Sequence, residues 1–175
     1  MNELLDDWTL LLLVILLGSI FALTALVSII SVRHRFKGNI TIAVGSILGI
    51  FAGIGGASHG PGEILQGNIA PDGIIIEAWP ALTSFAGEPA MTFIPSFSVS
   101  GIVTVITGFA VTIWAALRIQ SKNGALVLIL LSTMMLFVGG GLIPPALGVV
   151  AGIIIGARVR QKDLKKPPEW NGKQL

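Results

Sequence analysis

Long runs of uncharged, mostly apolar residues make up most of the chain, and short polar segments separate them. These runs cover residues 8–32, 39–58, 96–117 and 124–157. A helix of about 20 apolar residues crosses the hydrocarbon core of a bilayer, so the first three runs predict three full membrane spans. The pattern therefore predicts an all-α fold, a polytopic transmembrane helical bundle.

The fourth run is too long for one straight span. As a single helix it would measure about 51 Å, against a hydrocarbon core of about 30 Å. Glycine and proline both weaken helices, and the middle of the run contains Gly139, Gly140, Gly141, Pro144 and Pro145. We therefore predict a carboxy-terminal helical hairpin over residues 125–138 and 143–157. It adds either two crossings, for five in all, or a re-entrant pair.

Charge is sorted along the chain. All 11 Lys and Arg residues are confined to residues 33–37, 118–122 and 158–175. The amino terminus and the connection 59–95 carry acidic residues but no Lys or Arg. Because positive residues favour the cytoplasmic side, we expect a cell-membrane protein with an extracytoplasmic amino terminus and a cytoplasmic carboxy terminus. A single transmembrane domain, 1–157, then precedes a basic cytoplasmic tail, 158–175; the alternative is four spans with that tail outside.

Composition agrees with a membrane protein and excludes several functions. The 175 residues are 53% hydrophobic and 11% charged, whereas soluble proteins carry about 25% charged residues. The lipid bilayer is therefore the expected partner. Cysteine is absent, which excludes disulfides and thiolate metal sites. The basic residues lack interleaved aromatic residues, so nucleic acid is not expected as a partner. We predict no cofactor, because the phosphate-loop, HExxH and GxSxG motifs are missing.

Two sets of glycines recur at intervals of four residues. They are Gly45, Gly49 and Gly53 in the second span, and Gly148, Gly152 and Gly156 in the last. Residues four apart share a helix face, and small residues let membrane helices approach closely. The pattern favours helix packing, within the chain or with a second copy or another membrane protein. The alternative is a pore or a sliding surface.

The connection 59–95 holds a set of polar residues that could form an outer site. These are His59, Glu63, Asp72, Glu77 and Glu88. His59 and Glu63 could bind a metal ion or exchange a proton, but no spacing links them to the other acids, and we predict no metal site. The favoured interpretation is a polar cap on the second helix. The apolar residues of the connection, among them Trp79, predict an extracytoplasmic loop cap over the bundle.

The glycine and proline break and the third span offer a second candidate site. Broken helices in transporters expose backbone groups to ions and substrates, but the favoured interpretation of residues 139–145 is a tight turn at the outer surface between two short helices. The third span also carries hydroxyl residues, namely Ser98, Ser100, Thr104, Thr107 and Thr112. They could line a polar path, but such side chains more often bond to their own helix or to a neighbour.

Three segments resemble a group of small uncharacterised prokaryotic multi-pass membrane proteins. They are residues 137–145 with Gly148 and Gly152, residues 59–63, and residues 87–90. The resemblance covers about residues 40–157. It implies a multi-pass protein of a prokaryotic cell membrane and carries over no activity and no catalytic residue.

Three functions follow from these patterns. The favoured one is a non-enzymatic membrane component that associates through its glycine-rich helix faces. The first alternative is a small channel or facilitator for an ion or small solute, which would use the broken last segment and the third span with its Ser and Thr residues. The second alternative is a membrane enzyme that uses His59 and Glu63.

Overall fold

The computed structural model describes residues 7–79 and 88–164, and this part of the chain is mostly helical. Its elements are α1 (Asp7–Arg35), α2 (Ile40–Leu65), β1 (Ile75–Glu77), β2 (Pro89–Met91), α3 (Phe97–Leu117), α4 (Gly124–Phe137) and α5 (Ile143–Leu164). Within the described residues, α2, α3 and α5 are long and apolar enough to cross a membrane. Helix α4 has 14 residues and is therefore about 21 Å long. The helical fold and three helices that could span a membrane are thus confirmed, whereas the number of crossings, the loop cap and the orientation stay predictions.

Helix α2 lies at the centre, and its closest neighbour is α3. The two helices run antiparallel and approach through glycine on both sides. A β-carbon built on Gly53 would lie 2.5 Å from the carbonyl oxygen of Gly108, and one on Gly60 would lie 2.5 Å from that of Gly101. A side chain at any of these positions would push the backbones apart. Small residues therefore determine how closely α2 and α3 approach, as expected for helices in lipid.

The glycines predicted to form packing faces all lie against helices of this same chain. Gly45 faces Ile155, Gly49 faces Ala115, and Gly53 faces Thr112. On α5, Gly148 faces Ser132 and Ala52, while Gly152 and Gly156 face α4 through Ile129 and Ala125 respectively. Both glycine-rich faces are therefore occupied by packing within the chain.

An apolar core fills the bundle between these helices. Ile50, Val111, Leu128 and Ile155 are fully buried there. Helix α1 joins the core near its carboxy-terminal end, through Val32 and the following Phe36. Toward the amino terminus of α1, large apolar side chains such as Leu16 and Leu23 are exposed, as expected for a helix that would face lipid.

The antiparallel packing gives the bundle two chemically distinct ends. Basic residues at the carboxy-terminal ends of α1, α3 and α5 lie at one end of the bundle, which we call the basic end. The opposite end, which we call the hairpin end, contains the carboxy-terminal end of α2, the β1–β2 hairpin and the junction between α4 and α5. The hairpin is antiparallel and pairs Ile76 with Ala90. Residues 80–87 of the predicted cap and 165–175 of the predicted tail lie outside the described residues.

A buried polar cluster at the hairpin end

Helix α2 continues to Leu65, so His59 and Glu63 occupy its last two turns and are not part of the connection. The sequence places the end of this span at Ser58 because the uncharged run stops before His59. Pro61 lies inside the helix and has no amide to donate to the Ala57 carbonyl. One residue further along, the indole nitrogen of Trp79 donates a hydrogen bond of 2.9 Å to the Ser58 carbonyl.

Glu63 is the most unusual side chain of this end. It is fully buried, with 0% exposure, and neither carboxyl oxygen has a hydrogen-bond partner among the described residues. The Ser100 hydroxyl lies beside it but is bonded to the Thr92 hydroxyl at 2.7 Å and to the Val138 carbonyl at 2.9 Å. Glu63 is therefore a buried ionisable group whose bonding capacity is unused.

His59 lies one helical turn before Glu63 on the same face of α2. It is 8% exposed, and its Nδ1 atom has no partner among the described residues. Its Nε2 atom lies 3.7 Å from Oε2 of Glu88. The chain thus brings an imidazole and two carboxyl groups to one end of the bundle, although Glu88 is 25 positions further along the sequence than Glu63.

Glu88 joins this cluster to the start of α5. Its Oε1 atom accepts hydrogen bonds from the backbone amides of Leu142, at 2.6 Å, and Ile143. A carboxylate is favourable there because the first amides of a helix lack partners within the helix and point at the bound group. The remaining oxygen faces His59, so the Glu88 side chain links α2 to the start of α5.

The glycine break between α4 and α5 forms the wall of the cluster. Gly139 and Gly141 have φ values of +113° and +78°, which side chains rarely adopt. A β-carbon on Gly139 would overlap the Glu63 carboxyl group, and one on Gly141 would lie 2.7 Å from Nε2 of His59. These two glycines therefore provide both the turn and the space for the α2 side chains.

Hydrogen bonds shield the irregular backbone of the break. The Val138 carbonyl accepts from the hydroxyls of Ser100 and Thr104, and Thr92 forms an isolated β-bridge with Val138. Residues 138–141 are buried, whereas the sequence favours a turn at the outer surface. Non-helical backbone inside a membrane protein requires such protein partners.

The other predicted site residues lie apart from this cluster. Asp72 and Glu77 are exposed. Gly140 faces Met135, and Pro144 and Pro145 lie in the first turn of α5, where a missing amide costs least. Further along α3, Thr107 and Thr112 bond to carbonyls of their own helix, and Ser98 is half-buried near its start.

Thr92 belongs to the cluster without having been predicted. It follows β2 and is buried, and its hydroxyl meets that of Ser100. A single threonine after a three-residue strand belongs to no periodic pattern or motif, so nothing in the sequence singles it out. Glu88 was among the candidates, but its pairing with His59 follows only from the hairpin and from the α5 terminus.

The oxygen and nitrogen atoms of this cluster decide which ligands it could bind. Within residues 7–79 and 88–164, no group of three or more His, Asp or Glu residues could hold a metal ion. Glu88 contacts the start of α5 and His59, which leaves the Glu63 carboxyl group uncommitted, next to the hydroxyl of Ser100. Carboxylate, hydroxyl and carbonyl oxygens are ligands for hard cations.

The comparisons with known proteins add no relative. No protein-family model matches the sequence, and no similar chain was found among curated proteins or solved structures. The resemblance of residues 40–157 to uncharacterised prokaryotic membrane proteins therefore stays an expectation. The function has to be argued from the buried cluster itself.

Proposed function

We propose that this chain is a non-enzymatic integral membrane protein that binds a monovalent cation at the Glu63 carboxylate. The observation that carries the proposal is the complete burial of Glu63 with both oxygens unpartnered among the described residues. Native structures leave few buried polar groups unsatisfied, and those few call for an explanation. A bound cation provides one.

Energetics support a counter-ion at this position. Burying an unpaired carboxylate costs several kcal/mol, even after the surroundings relax. The nearest ionisable groups, His59 and Glu88, lie 3.7 Å apart and face each other. The Glu63 carboxylate would bring one negative charge, which a singly charged ion such as Na⁺ would match. The Ser100 hydroxyl and backbone carbonyls of the break are neutral oxygen groups that suit such an ion.

Thermal unfolding in detergent tests this binding. A ligand that binds only the folded state raises the melting temperature, and at 100 times its Kd it adds about 2.7 kcal/mol of stability. We expect the protein to melt higher in NaCl than in choline chloride at equal ionic strength. Glu63→Gln should abolish the difference, whereas Asp72→Asn, which removes an exposed carboxylate, should keep it. Equal melting temperatures in Na⁺, K⁺, Li⁺ and choline would reject the proposal.

Transport of the bound cation is a second candidate function, favoured by the position of the helix break. Ion-coupled transporters place interrupted helices and their exposed backbone groups at the ion site, and Gly139 of the break touches Glu63. Ile50 and Leu128 are fully buried further along the bundle, so passage to the basic end requires α2 and α4 to separate. Sodium flux into liposomes tests this function. If no sodium flux is seen while the melting temperature still depends on sodium, the protein binds the cation but does not transport it.

The remaining alternatives draw on different surfaces. Association with another copy through the predicted glycine faces would have to displace contacts that α2 and α5 already make within the chain. The enzyme hypothesis would require His59 to act on a bound substrate while it faces Glu88. Metal analysis of the pure protein tests it, because a bound metal that is lost in His59→Ala would support an enzyme over the cation site.

A further inference from the structure

A groove opens at the basic end, far from the polar cluster. It lies between the start of α4 and the last turns of α5 and has a volume of about 550 Å³. Polar residues of the α3–α4 loop form its rim, including Ser121, Lys122 and Asn123, and Arg160 of α5 faces them. Its lower part lies along apolar side chains, including Ile129 and Ile153.

Among the side chains that the structure describes, which end at Arg160, the rim carries positive charge without a matching negative charge. Lys122 and Arg160 are exposed, and neither forms an ion pair with any of these side chains. No Asp or Glu is among the described residues that line the groove. The Asn123 side chain also leaves the start of α4 uncapped, and the positive end of the helix dipole adds to the same field. The rim therefore favours an anionic group.

The lower groove has the opposite character. Ile153 is 56% exposed, on a helix apolar enough to cross a membrane. Gly156 contributes no side chain to the groove, and the nearest neighbour of a β-carbon built there would be 3.5 Å away. An apolar chain can lie along this surface and cover its exposed apolar side chains. The groove is thus amphipathic, with its charge at the helix ends and its apolar part directed into the bundle.

We propose that this groove binds one anionic phospholipid from the leaflet at the basic end. Lys122 and Arg160 contact the headgroup phosphate, and an acyl chain lies along α5 past Gly156. Basic pockets between membrane helices at a charged interface are suited to such headgroups. The chain's own residues 165–175 suit the rim less well, because they contain three lysines and one glutamate. This site is independent of the cation proposed at Glu63.

Native mass spectrometry of the full chain in detergent, with phosphatidylglycerol or phosphatidylcholine added, tests the proposal. We expect one phosphatidylglycerol molecule to bind with clear preference over phosphatidylcholine. Each cation near an anionic lipid contributes enough for K122Q/R160Q together to weaken that binding by about 10- to 30-fold. The control R33Q/K37Q removes the same charge from exposed positions at the basic end and should leave binding within about twofold.

A second variant separates the groove from its charges. Gly156→Leu keeps Lys122 and Arg160 but fills the lower groove, and it should also weaken phosphatidylglycerol binding while the helical content measured by circular dichroism stays unchanged. Equal binding of both lipids, or equal losses in the control, would overturn the proposal. So would competition by glycerol phosphate at the potency of the lipid, since the acyl chain would then contribute nothing. A dimer that K122Q/R160Q abolishes would assign the groove to a second copy instead.

Discussion

Glycine serves opposite purposes in two regions of the bundle, the packed half between the helices and the hairpin end. In the packed half, Gly53 of α2 lacks a side chain, so the backbone of Gly108 can approach. At the hairpin end, Gly139 and Gly141 take positive φ values and leave space for the side chains of Glu63 and His59. The first use yields close apolar packing, and the second yields a buried polar cluster beside an irregular backbone.

This difference separates stability from binding within one small bundle. Close packing of backbones provides many weak contacts and leaves no room for a ligand. The hairpin end instead accepts a buried carboxyl group without a partner, which costs stability unless something binds. We therefore expect substitutions in the packed half to affect folding most, and substitutions at the hairpin end to change both folding and the response to cations.

The largest expected effect is that of Gly53→Ala. The added methyl group would lie 2.5 Å from the Gly108 carbonyl and 2.6 Å from the Thr112 amide, and both are backbone groups of a packed helix. We expect a loss of about 3 kcal/mol in the free energy of unfolding, measured by denaturant titration in mixed micelles. Gly18→Ala is the matched control, because nothing lies within 4 Å of a β-carbon there. Similar losses in both variants would contradict the packing argument.

Gly139→Ala should have the next largest effect, since it combines two costs. A left-handed backbone costs a residue with a side chain about 1 kcal/mol, and the methyl group would also overlap the Glu63 carboxyl group. We expect a total loss of about 2 to 3 kcal/mol in the free energy of unfolding. Gly67→Ala isolates the backbone cost, because Gly67 has a φ of +87° but open space around it.

A double variant sharpens this prediction. Combining Gly139→Ala with Glu63→Ala removes the overlap, so the two losses should not add, and the coupling should be about 1 kcal/mol. Additive losses would show that the carboxyl group does not touch the break. The same double variant should have no sodium-dependent melting, because it lacks the proposed ligand.

Glu88→Gln should produce a moderate effect. The substitution keeps the shape of the side chain but removes the negative charge that faces the Leu142 and Ile143 amides and His59. A carboxylate at a helix start contributes about 1 kcal/mol, so the free energy of unfolding should fall by that amount. Asp72→Asn serves as the control for an exposed acid. Equal changes in the two variants would contradict the role of Glu88 at the start of α5.

The sequence predicted the helical class but not how the site assembles. Uncharged runs and the 139–145 break are strong local signals, and both match elements of the structure. The end of α2 was misplaced because the uncharged run stops before His59, whereas the helix continues through Gly60 and Pro61 to Leu65. Nothing local in the sequence indicates this continuation or the hydrogen bond from Trp79 to the Ser58 carbonyl.

The candidate site illustrates the same limit. His59 and Glu63 are one turn apart in a helix, so their common face follows from the sequence once the helix is known to continue. Their meeting with Glu88 and with Gly139 depends on the hairpin and on the turn between α4 and α5, and both are long-range arrangements. Sequence patterns report periodicity within an element, whereas this site is built by the ends of several elements.

The smallest predicted effect concerns a second buried polar group, in the packed part of the molecule. The Ser132 hydroxyl on α4 is fully buried without a partner among the described residues, and it lies against Gly148 of α5. Unlike the Glu63 carboxyl group, a hydroxyl cannot carry a charge. Removing it should therefore eliminate an unsatisfied group without removing a ligand, and Ser132→Ala should raise the free energy of unfolding by about 0.5 kcal/mol.

The adjacent Thr133 provides the matched control for this variant. Its hydroxyl donates to the Ile129 carbonyl at 2.9 Å, so Thr133→Ala should lower the free energy of unfolding by a similar amount. Ser132→Ala should also leave the difference between melting in sodium and in choline unchanged. A loss of stability in Ser132→Ala, or a loss of its sodium response, would mean that the hydroxyl takes part in binding. The separation between a packed half and a binding end would then fail, because unsatisfied polar groups in both regions would serve the same ligand.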